Sequence, residues 1–207
     1  MVICSIIGLV YLASPRFDSL EEGRETILPL GYELEDTMYT LAPDEKATTV
    51  VVYSPNKMVH GELVAKQNAR VSLLPRTGMP GYLHFLKTEV LFFGGEPPKS
   101  LAYDEYFFPT ERIIGFHLSP PASEPLDYDP DEENRIMLDV SMILGAFMLT
   151  GKIRTSTHAD IVTNLEAAHT TWLSVYFAEI VNPFLPQLPA IHVSMLLVKP
   201  TQVSFGI

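Results

Sequence analysis

The alternation of apolar and polar residues along the chain is mainly that of β-strands. β-branched and aromatic residues form short runs, and turn residues such as Pro55-Asn56-Lys57 separate them. Five strands are predicted in each half of the chain: 48–54, 58–65, 82–93, 101–108 and 111–118, then 136–144, 146–154, 172–181, 190–199 and 202–207. The pattern therefore predicts an all-β protein with a minor α component.

One segment departs from the strand pattern. Thr157-His158-Ala159-Asp160 has the form of a helix-opening box, in which Thr157 caps the helix and Asp160 lies in its first turn. Ile161, Leu165 and Ala168 follow at helical spacing, so a short helix is predicted over 158–168. The corresponding stretch of the first half, 70–74, ends at Pro75, and only a turn or a distorted helix is expected there.

The chain aligns with itself at an offset of 90 residues, which predicts an internal duplication. Gly61-Glu62-Leu63 aligns with Gly151-Lys152-Ile153, and Thr88-Glu89-Val90 aligns with Ala178-Glu179-Ile180. Near the end an offset of 91 pairs Pro109-Thr110 with Pro200-Thr201 and Gly115 with Gly206. A glycine in mid-strand, as at 61 and 151, usually marks a bulge or bend. We therefore expect two homologous, small barrel-like domains with separate curled sheets; chance similarity is the alternative.

Acidic residues are concentrated in two places and define the expected domain boundaries. The net charge is −11; residues 1–48 carry nine acids and three bases, and residues 119–134 carry six acids and no base. We divide the chain into an N-terminal apolar and acidic segment (1–47), a first repeat (48–118), a solvated, proline-rich acidic linker (119–134) and a second repeat (135–207). Neither nearly neutral repeat has a basic stripe, so nucleic-acid binding is not expected.

Each repeat resembles a family of small bacterial β domains of uncharacterised function. The shared pattern is a strand, a central glycine hairpin, a short helix with Asp and then Asn, and paired strands. In the second repeat it is carried by Gly151, Asp160, Asn164, Trp172-Leu173 and Glu179. The first repeat has Arg70 at the Asp position. The resemblance, similar in outline to Sm-like small barrels, implies the barrel fold but no activity.

Residues 2–13 form an apolar run with three interpretations. The first is a buried strand that completes one of the barrels. The second is an exposed arm that pairs with the sheet edge of a neighbouring subunit. The third is an atypical export signal or anchor, although the run lacks a basic flank and is too short to cross a bilayer. We predict a cytoplasmic protein that is not associated with a membrane.

Candidate metal sites in the sequence are weak. Asp127, Asp129 and Asp131 have the spacing of a calcium loop, but Glu132 replaces its glycine and Leu138 its final Glu, so a solvated linker is favoured. His158, Asp160 and His169 lack the spacing of a helical ligand pair, which favours a surface or capping role. The single cysteine, Cys4, excludes a disulfide framework and a cysteine zinc cluster. We therefore expect neither metal nor cofactor.

Candidate catalytic residues are equally sparse. Glu89 and Glu179 occupy equivalent strand positions and are expected to face solvent or pair locally rather than act as acid and base. No nucleophile elbow, phosphate-binding loop or dinucleotide fingerprint is present. Four isolated histidines are expected at the wall or rim of the barrels: His60, His84, His117 and His192. The chain is therefore not expected to be an enzyme.

The first repeat is rich in aromatic residues: Tyr82, Phe85, Phe92, Phe93, Tyr103, Tyr106, Phe107 and Phe108. A small barrel has few interior positions, so some of these side chains must face outward and form a contact surface. The leading hypothesis is a non-catalytic interaction or scaffold protein that binds itself or another protein through sheet edges and apolar faces. The alternatives are a small-ligand or lipid-binding protein with a cleft between the repeats and, third, a hydrolase of unrecognised type.

Overall fold

A computed structural model describes residues 39–93, 98–158, 160–168 and 172–206. The N-terminal apolar run, Cys4 and His169 lie outside the described residues. Residues from Tyr39 onward form one compact unit. No helix in the part of the chain described here has both the length and the apolar character needed to span a membrane.

The described chain is predominantly β, which confirms the predicted class. The first half contains β1 (Glu45–Ser54), β2 (Lys57–Lys66), β3 (Tyr82–Phe92), β4 (Lys99–Pro109) and β5 (Gly115–Leu118), with helix α1 (Leu74–Thr77) between β2 and β3. The second half contains β6 (Arg135–Leu144), β7 (Phe147–Ser156), β8 (Leu173–Val181), β9 (Ile191–Val198) and β10 (Ser204–Gly206), with helix α2 (Ile161–Ala168) between β7 and β8. Short 3₁₀ turns occupy Val71–Leu73, Thr110–Arg112 and Pro200–Gln202.

All ten strands belong to one antiparallel sheet, in the order β10-β6-β7-β8-β9-β5-β1-β2-β3-β4. The prediction of two separate, closed barrel-like sheets is therefore wrong. The reason lies in the partner that β5 takes: it pairs with β1 on one side and, on the other, with β9 of the second half instead of β4 of its own half. The sheet stays open, with β4 and β10 at its two ends.

The two halves have the same internal strand order and the same ladder register. Every paired position in the β6–β9 ladders is displaced by 90 residues from a pair in the β1–β4 ladders, as in Val59↔Val90 and Leu149↔Ile180. Both halves also bulge at the glycine of their second strand, Gly61 or Gly151. A Cβ at Gly61 would meet Thr88 Oγ1 at 2.9 Å, so the neighbouring strand approaches too closely for a side chain.

The register shows that part of the sequence alignment is wrong. Gly115 pairs with Tyr53 in β1, and Ser204 pairs with Ile143 in β6, which is 90 residues beyond Tyr53. Ser204, not Gly206, is therefore the structural counterpart of Gly115. The second half is one residue shorter between its last 3₁₀ turn and its last strand, and a length change in a connection leaves no periodic signal in the sequence.

The predicted helix of the second half is present, but it begins later than expected. Helix α2 starts at Ile161, and Asp160 Oδ1 accepts a hydrogen bond from the Thr163 backbone N–H at 2.8 Å. Asp160 therefore has the capping role assigned to Thr157, and this bond lowers the pKa of its carboxyl group. In the first half, the expected distorted helix appears as the 3₁₀ turn followed by the four-residue α1.

The core of the first half is built from alternate positions of its strands, as expected where one face of a sheet is buried. Its fully buried members include Val50, Leu63, Phe85, Phe108 and Phe116. Trp172, which precedes β8 of the second half, packs against this core. The two halves therefore share apolar contacts in addition to the β5–β9 ladder.

Candidate interaction surface

The β5–β9 ladder and the residues around it form the inner joint, where the two halves meet edge to edge. Gly115 pairs with Val198 and Phe116 with Leu197. The Lys199 N–H extends the contact by donating to the Ile114 carbonyl at 2.9 Å. Phe116, Leu197 and Val198 are fully buried. The joint is therefore a short ladder whose stability comes mainly from the apolar area that it removes from water.

Close packing beside the ladder fixes the geometry of the inner joint. A Cβ on Gly115 would meet Leu144 Cδ2 at 2.9 Å and Tyr53 Cδ2 at 3.2 Å. Gly145, in the turn between β6 and β7, has φ of +59° and lies against the backbone oxygens of Ser54 and Pro55. Glycine is required at 145 both by this left-handed conformation and by the close approach.

Aromatic rings complete the same contact. The Phe147 ring, at the start of β7, makes edge-to-face contacts with Tyr53 at 4.9 Å and with Phe93 at 5.0 Å between centroids. Rings at this separation and angle add to the stabilisation given by buried area. The turn between β6 and β7 therefore packs on the end of β1 in the first half.

The two outer edges of the sheet present apolar side chains instead of burying them. Phe107 on β4 is 55% exposed, and its neighbours Leu101 and Tyr103 are also exposed. At the other end, Ile143 of β6 lies beside β10 and is 58% exposed. No described strand pairs with the outer side of β4 or of β10. These two free edges are the candidate interaction surface, because unpaired backbone groups and exposed apolar residues coincide there.

A buried polar network lies beneath the inner joint in the first half. His117 Nδ1–H donates to the Leu118 carbonyl at 2.8 Å, so Nε2 accepts from the Tyr53 hydroxyl at 3.0 Å. Burial lowers the pKa of His117 to about 4, and the ring is therefore neutral at neutral pH. His60 contacts Ser119 Oγ at 3.0 Å through Nε2, and burial lowers its pKa as well.

The network corrects the expectation of a wall or rim position for two of the four histidines. His60 and His117 are interior residues, whereas His192 is exposed. At the positions equivalent to Tyr53 and His60, the second half has Ile143 and Thr150. The polar network therefore belongs to the first half only.

The acidic linker is not the solvated tether that its composition predicts. The Asp127 side chain is only 6% exposed and accepts hydrogen bonds from Ser174 at 2.7 Å and from Tyr176 at 2.6 Å. Arg76 of the first half contacts the same carboxylate and also donates to the Trp172 carbonyl at 2.7 Å through Nη2. Asp127 therefore connects the first half, the linker and the second half at one point.

The electrostatics of this cluster keep Asp127 ionised. Burial by itself raises the pKa of the carboxyl group, but the hydrogen bonds from Tyr176 and Ser174 and the Arg76 charge outweigh it, so the net pKa is lowered. In the same cluster, burial and the bond to Asp127 raise the pKa of the Tyr176 hydroxyl. A buried carboxylate that accepts from three donors connects the segments of the chain that carry those donors.

Two further linker acids each contact one of the halves. Glu124 accepts from the backbone N–H groups of Val71 and Ser72, each at 3.0 Å. Burial raises its pKa, but hydrogen bonds from Ser72 outweigh that and lower it overall. Glu132 accepts from Arg154 at 2.5 Å, on the β7 strand of the second half. The linker is therefore held to both halves along its length.

The residues considered for metal binding have separate structural roles. His158 Nε2 lies 3.3 Å from Asn134 Oδ1, while Asp160 caps α2. Asp129 Oδ1 accepts from the Asp131 N–H at 2.9 Å, a local turn contact. Within 39–93, 98–158, 160–168 and 172–206, no group of three or more His, Cys, Asp or Glu residues could hold a metal ion.

The paired glutamates remain within their own halves. Glu89 accepts a hydrogen bond from Ser100 Oγ at 2.7 Å on the adjacent strand. Glu179 is exposed and lines an open surface hollow with Lys152, Phe177 and His192. Each carboxylate thus has the local or solvent-facing position that the sequence predicts.

Sequence reasoning missed the role of Asp127 and did not identify which sheet edges are free. The role of Asp127 had no signal beyond its place in an acidic run, because its partners lie 47 to 51 residues away along the chain. The free edges had a signal in the 90-residue alignment: Phe107 aligns with Leu197, and Ile143 with Tyr53. Comparisons of the chain with protein-family models, curated proteins and solved structures give no match.

Proposed function

We propose that this protein is a non-catalytic scaffold that associates with itself through the free edges of its sheet. In this proposal the two halves descend from one duplicated five-stranded unit, and the duplicated unit has kept an edge-to-edge mode of association. The identical strand order and the constant 90-residue displacement of the ladders support the duplication. The resemblance to small bacterial β domains stays a prediction.

One observation carries the functional proposal. Residues exposed at the free edges occupy positions whose counterparts are buried at the inner joint: Phe107 corresponds to the buried Leu197, and Ile143 to the buried Tyr53. Large apolar side chains beside unpaired strand edges favour association with another chain. The β5–β9 ladder at the inner joint, in which strands pair at those positions within the chain, supports the proposal.

The use of the buried polar groups supports a non-catalytic role. The Asp127 cluster, the Glu124 contacts and the Tyr53–His117 pair each hold two segments of the chain together. A catalytic group acts on a substrate next to its reacting atom, whereas the partners of these groups belong to the chain itself.

Ligand binding between the halves is the weaker alternative. One cavity, lined by both halves and the linker and including Ser72 and Glu124, has a volume of about 170 Å³, below the roughly 300 Å³ of usual small-molecule sites. A second, more open hollow of about 470 Å³ is lined by Arg112 and Ile114 of the first half and Gln202 of the second. A pocket containing Tyr82 or Trp172 would favour ligand binding, and neither residue lines either cavity.

Light scattering of the full chain over a range of concentrations tests the proposed function. We expect a mass above the 23.1 kDa of one chain that increases with concentration. Phe107→Lys introduces a charge at a free edge and should shift the association to higher concentrations. The matched control is Phe184→Lys, because Phe184 is 79% exposed but lies between β8 and β9, away from both free edges.

A mass of one chain at every concentration would overturn the proposal. An equal effect of Phe107→Lys and Phe184→Lys would also overturn it, because association would then depend on general surface hydrophobicity instead of the sheet edge.

A further inference from the structure

We infer that the partner of the free β4 edge is the free β10 edge of a second copy of this chain, in the register that joins β9 to β5. The inference rests on the proposed function and adds to it the identity, orientation and register of the contact. Copies would then join head to tail. Such a contact is heterologous, since each copy contributes a different edge.

The register follows from the inner joint and the internal alignment. Val198 and Leu197 of β9 lie 90 residues beyond Phe108 and Phe107 of β4, and the two strands pair identically with β8 and β3. Gly115 and Phe116 of β5 correspond to Ser204 and Phe205 of β10, through their pairing with β1 and β6.

Transferring the inner pairs to the outer edges gives one specific register. Gly115↔Val198 becomes Ser204 opposite Phe108, and Phe116↔Leu197 becomes Phe205 opposite Phe107 of the next copy. Exposed Phe107 and partly exposed Phe205 would then lie on adjacent strands. Directly opposed aromatic residues are among the stabilising cross-strand pairs.

The side chains around Ser204 fit this exchange. At the inner joint a Cβ on Gly115 would meet Leu144 Cδ2 of the second half at 2.9 Å, so either the glycine or a smaller neighbour is favoured there. We call the proposed contact between β10 of one copy and β4 of the next the outer joint. There the residue equivalent to Leu144 is Ser54 of the next copy, and serine is much smaller than leucine. The smaller Ser54 leaves space for the Ser204 side chain. The pair Ser204 and Ser54 at the outer joint therefore takes the place of the pair Gly115 and Leu144 at the inner joint.

Two differences make the outer joint weaker than the inner one. Pro109 stands where Lys199 donates its N–H to Ile114, and proline has no N–H to donate. Pro55 stands where Gly145 makes its close backbone approach. The inner joint is therefore permanent within a chain, whereas the outer joint depends on protein concentration.

Disulfide capture between two differently tagged full-length variants tests the register. In a Cys4→Ser background, one variant carries Phe107→Cys and the other Phe205→Cys. The matched control replaces Phe107→Cys by Tyr103→Cys, four residues away on the same face of β4 and also exposed. We expect the 107–205 disulfide to form at least about tenfold faster than the 103–205 disulfide, since a disulfide needs Cα atoms within about 7 Å.

The outcomes separate this inference from the proposed function. A dominant 107–107 disulfide between copies would show a β4–β4 contact, which overturns the inference and leaves self-association intact. Equal rates for 107–205 and 103–205 would overturn the register. If no cross-link forms and the sample has the mass of one chain, both proposals are overturned. The same result is expected if the chain covers its own free edges.

Hydrogen exchange on the unmodified protein provides a second readout that needs no substitution. We expect the amides of β4 and β10 to become protected together as concentration rises. Protection of β4 alone, or protection of both strands that is independent of concentration, would contradict the head-to-tail contact.

Discussion

The two halves of the molecule share one ladder register but differ in what covers their edges. In the first half β5 is covered by β9, and Tyr53 and His117 form a buried hydrogen-bonded pair beside it. In the second half the equivalent β10 edge has no partner in the described chain, and Ile143 is exposed at the position of Tyr53. Topology therefore fixes where an edge lies, while the neighbouring strand decides whether the side chains at that edge are buried.

The largest expected effect is a difference in the free energy of unfolding between a substitution at the covered β9 edge and one at the free β4 edge. Leu197→Ala removes a fully buried side chain from the inner joint and should lower the free energy of unfolding by about 3 kcal/mol. Phe107→Ala, at the equivalent exposed position, should change it by less than about 0.5 kcal/mol in dilute protein. Urea unfolding of both variants measures the difference. Equal losses would contradict the distinction between the two edges.

Acid should destabilise the first half through its buried histidines. The folded-state pKa of His117 is lowered from 6.5 to about 4, so between these values the unfolded chain binds more protons than the folded one. The contribution of His117 to the free energy of unfolding is therefore complete above pH 6.5. It falls as the pH decreases toward 4, by about 3 kcal/mol in total. The lowered pKa of His60 acts in the same direction.

Unfolding midpoints measured between pH 7 and pH 4.5 check this prediction, because Asp127 and Glu124 lose their contributions only at lower pH. His117→Gln should flatten the slope, whatever it does to the absolute stability. His192→Gln is the matched control, since His192 is exposed. An unchanged slope in His117→Gln would show that the buried pair does not govern the acid response.

The contact between the halves through Asp127 should have the next largest effect. Asp127→Asn removes the charge that faces Arg76 and replaces one acceptor oxygen by a donor, which should cost about 2 kcal/mol of stability. Asp131→Asn, in the exposed part of the same acidic linker, should cost less than about 0.5 kcal/mol. Thermal unfolding of the two variants compares them directly. If Asp127→Asn lowers the stability no more than Asp131→Asn does, the linker does not connect the two halves through Asp127.

The smallest expected effect comes from a substitution that makes the free β4 edge resemble the covered edge of β9. Pro109→Ala restores a backbone N–H at the position where Lys199 donates across the inner joint. One added hydrogen bond should strengthen self-association by about 1 kcal/mol, or roughly fivefold in the dissociation constant. Light scattering across a dilution series measures the shift. Weaker association in Pro109→Ala would contradict the equivalence of the two joints.

Local patterns made the strands and the 90-residue alignment predictable. The runs around Val50 and Val59 have the composition of strands, and Gly61 and Gly151 mark the bulges that the ladders show. The open sheet was not predictable, because the choice of β9 over β4 as the partner of β5 depends on the whole fold. The role of Asp127 was hidden for the same reason, since composition describes a segment but not its distant partners.

The most direct test of the account is the structure of the assembled full-length protein, determined by electron cryomicroscopy or crystallography at near-atomic resolution. The account predicts an antiparallel ladder between β4 of one copy and β10 of the next, with Phe107 opposite Phe205. A structure in which β4 meets β4, or in which both strands face solvent in every copy, would contradict it.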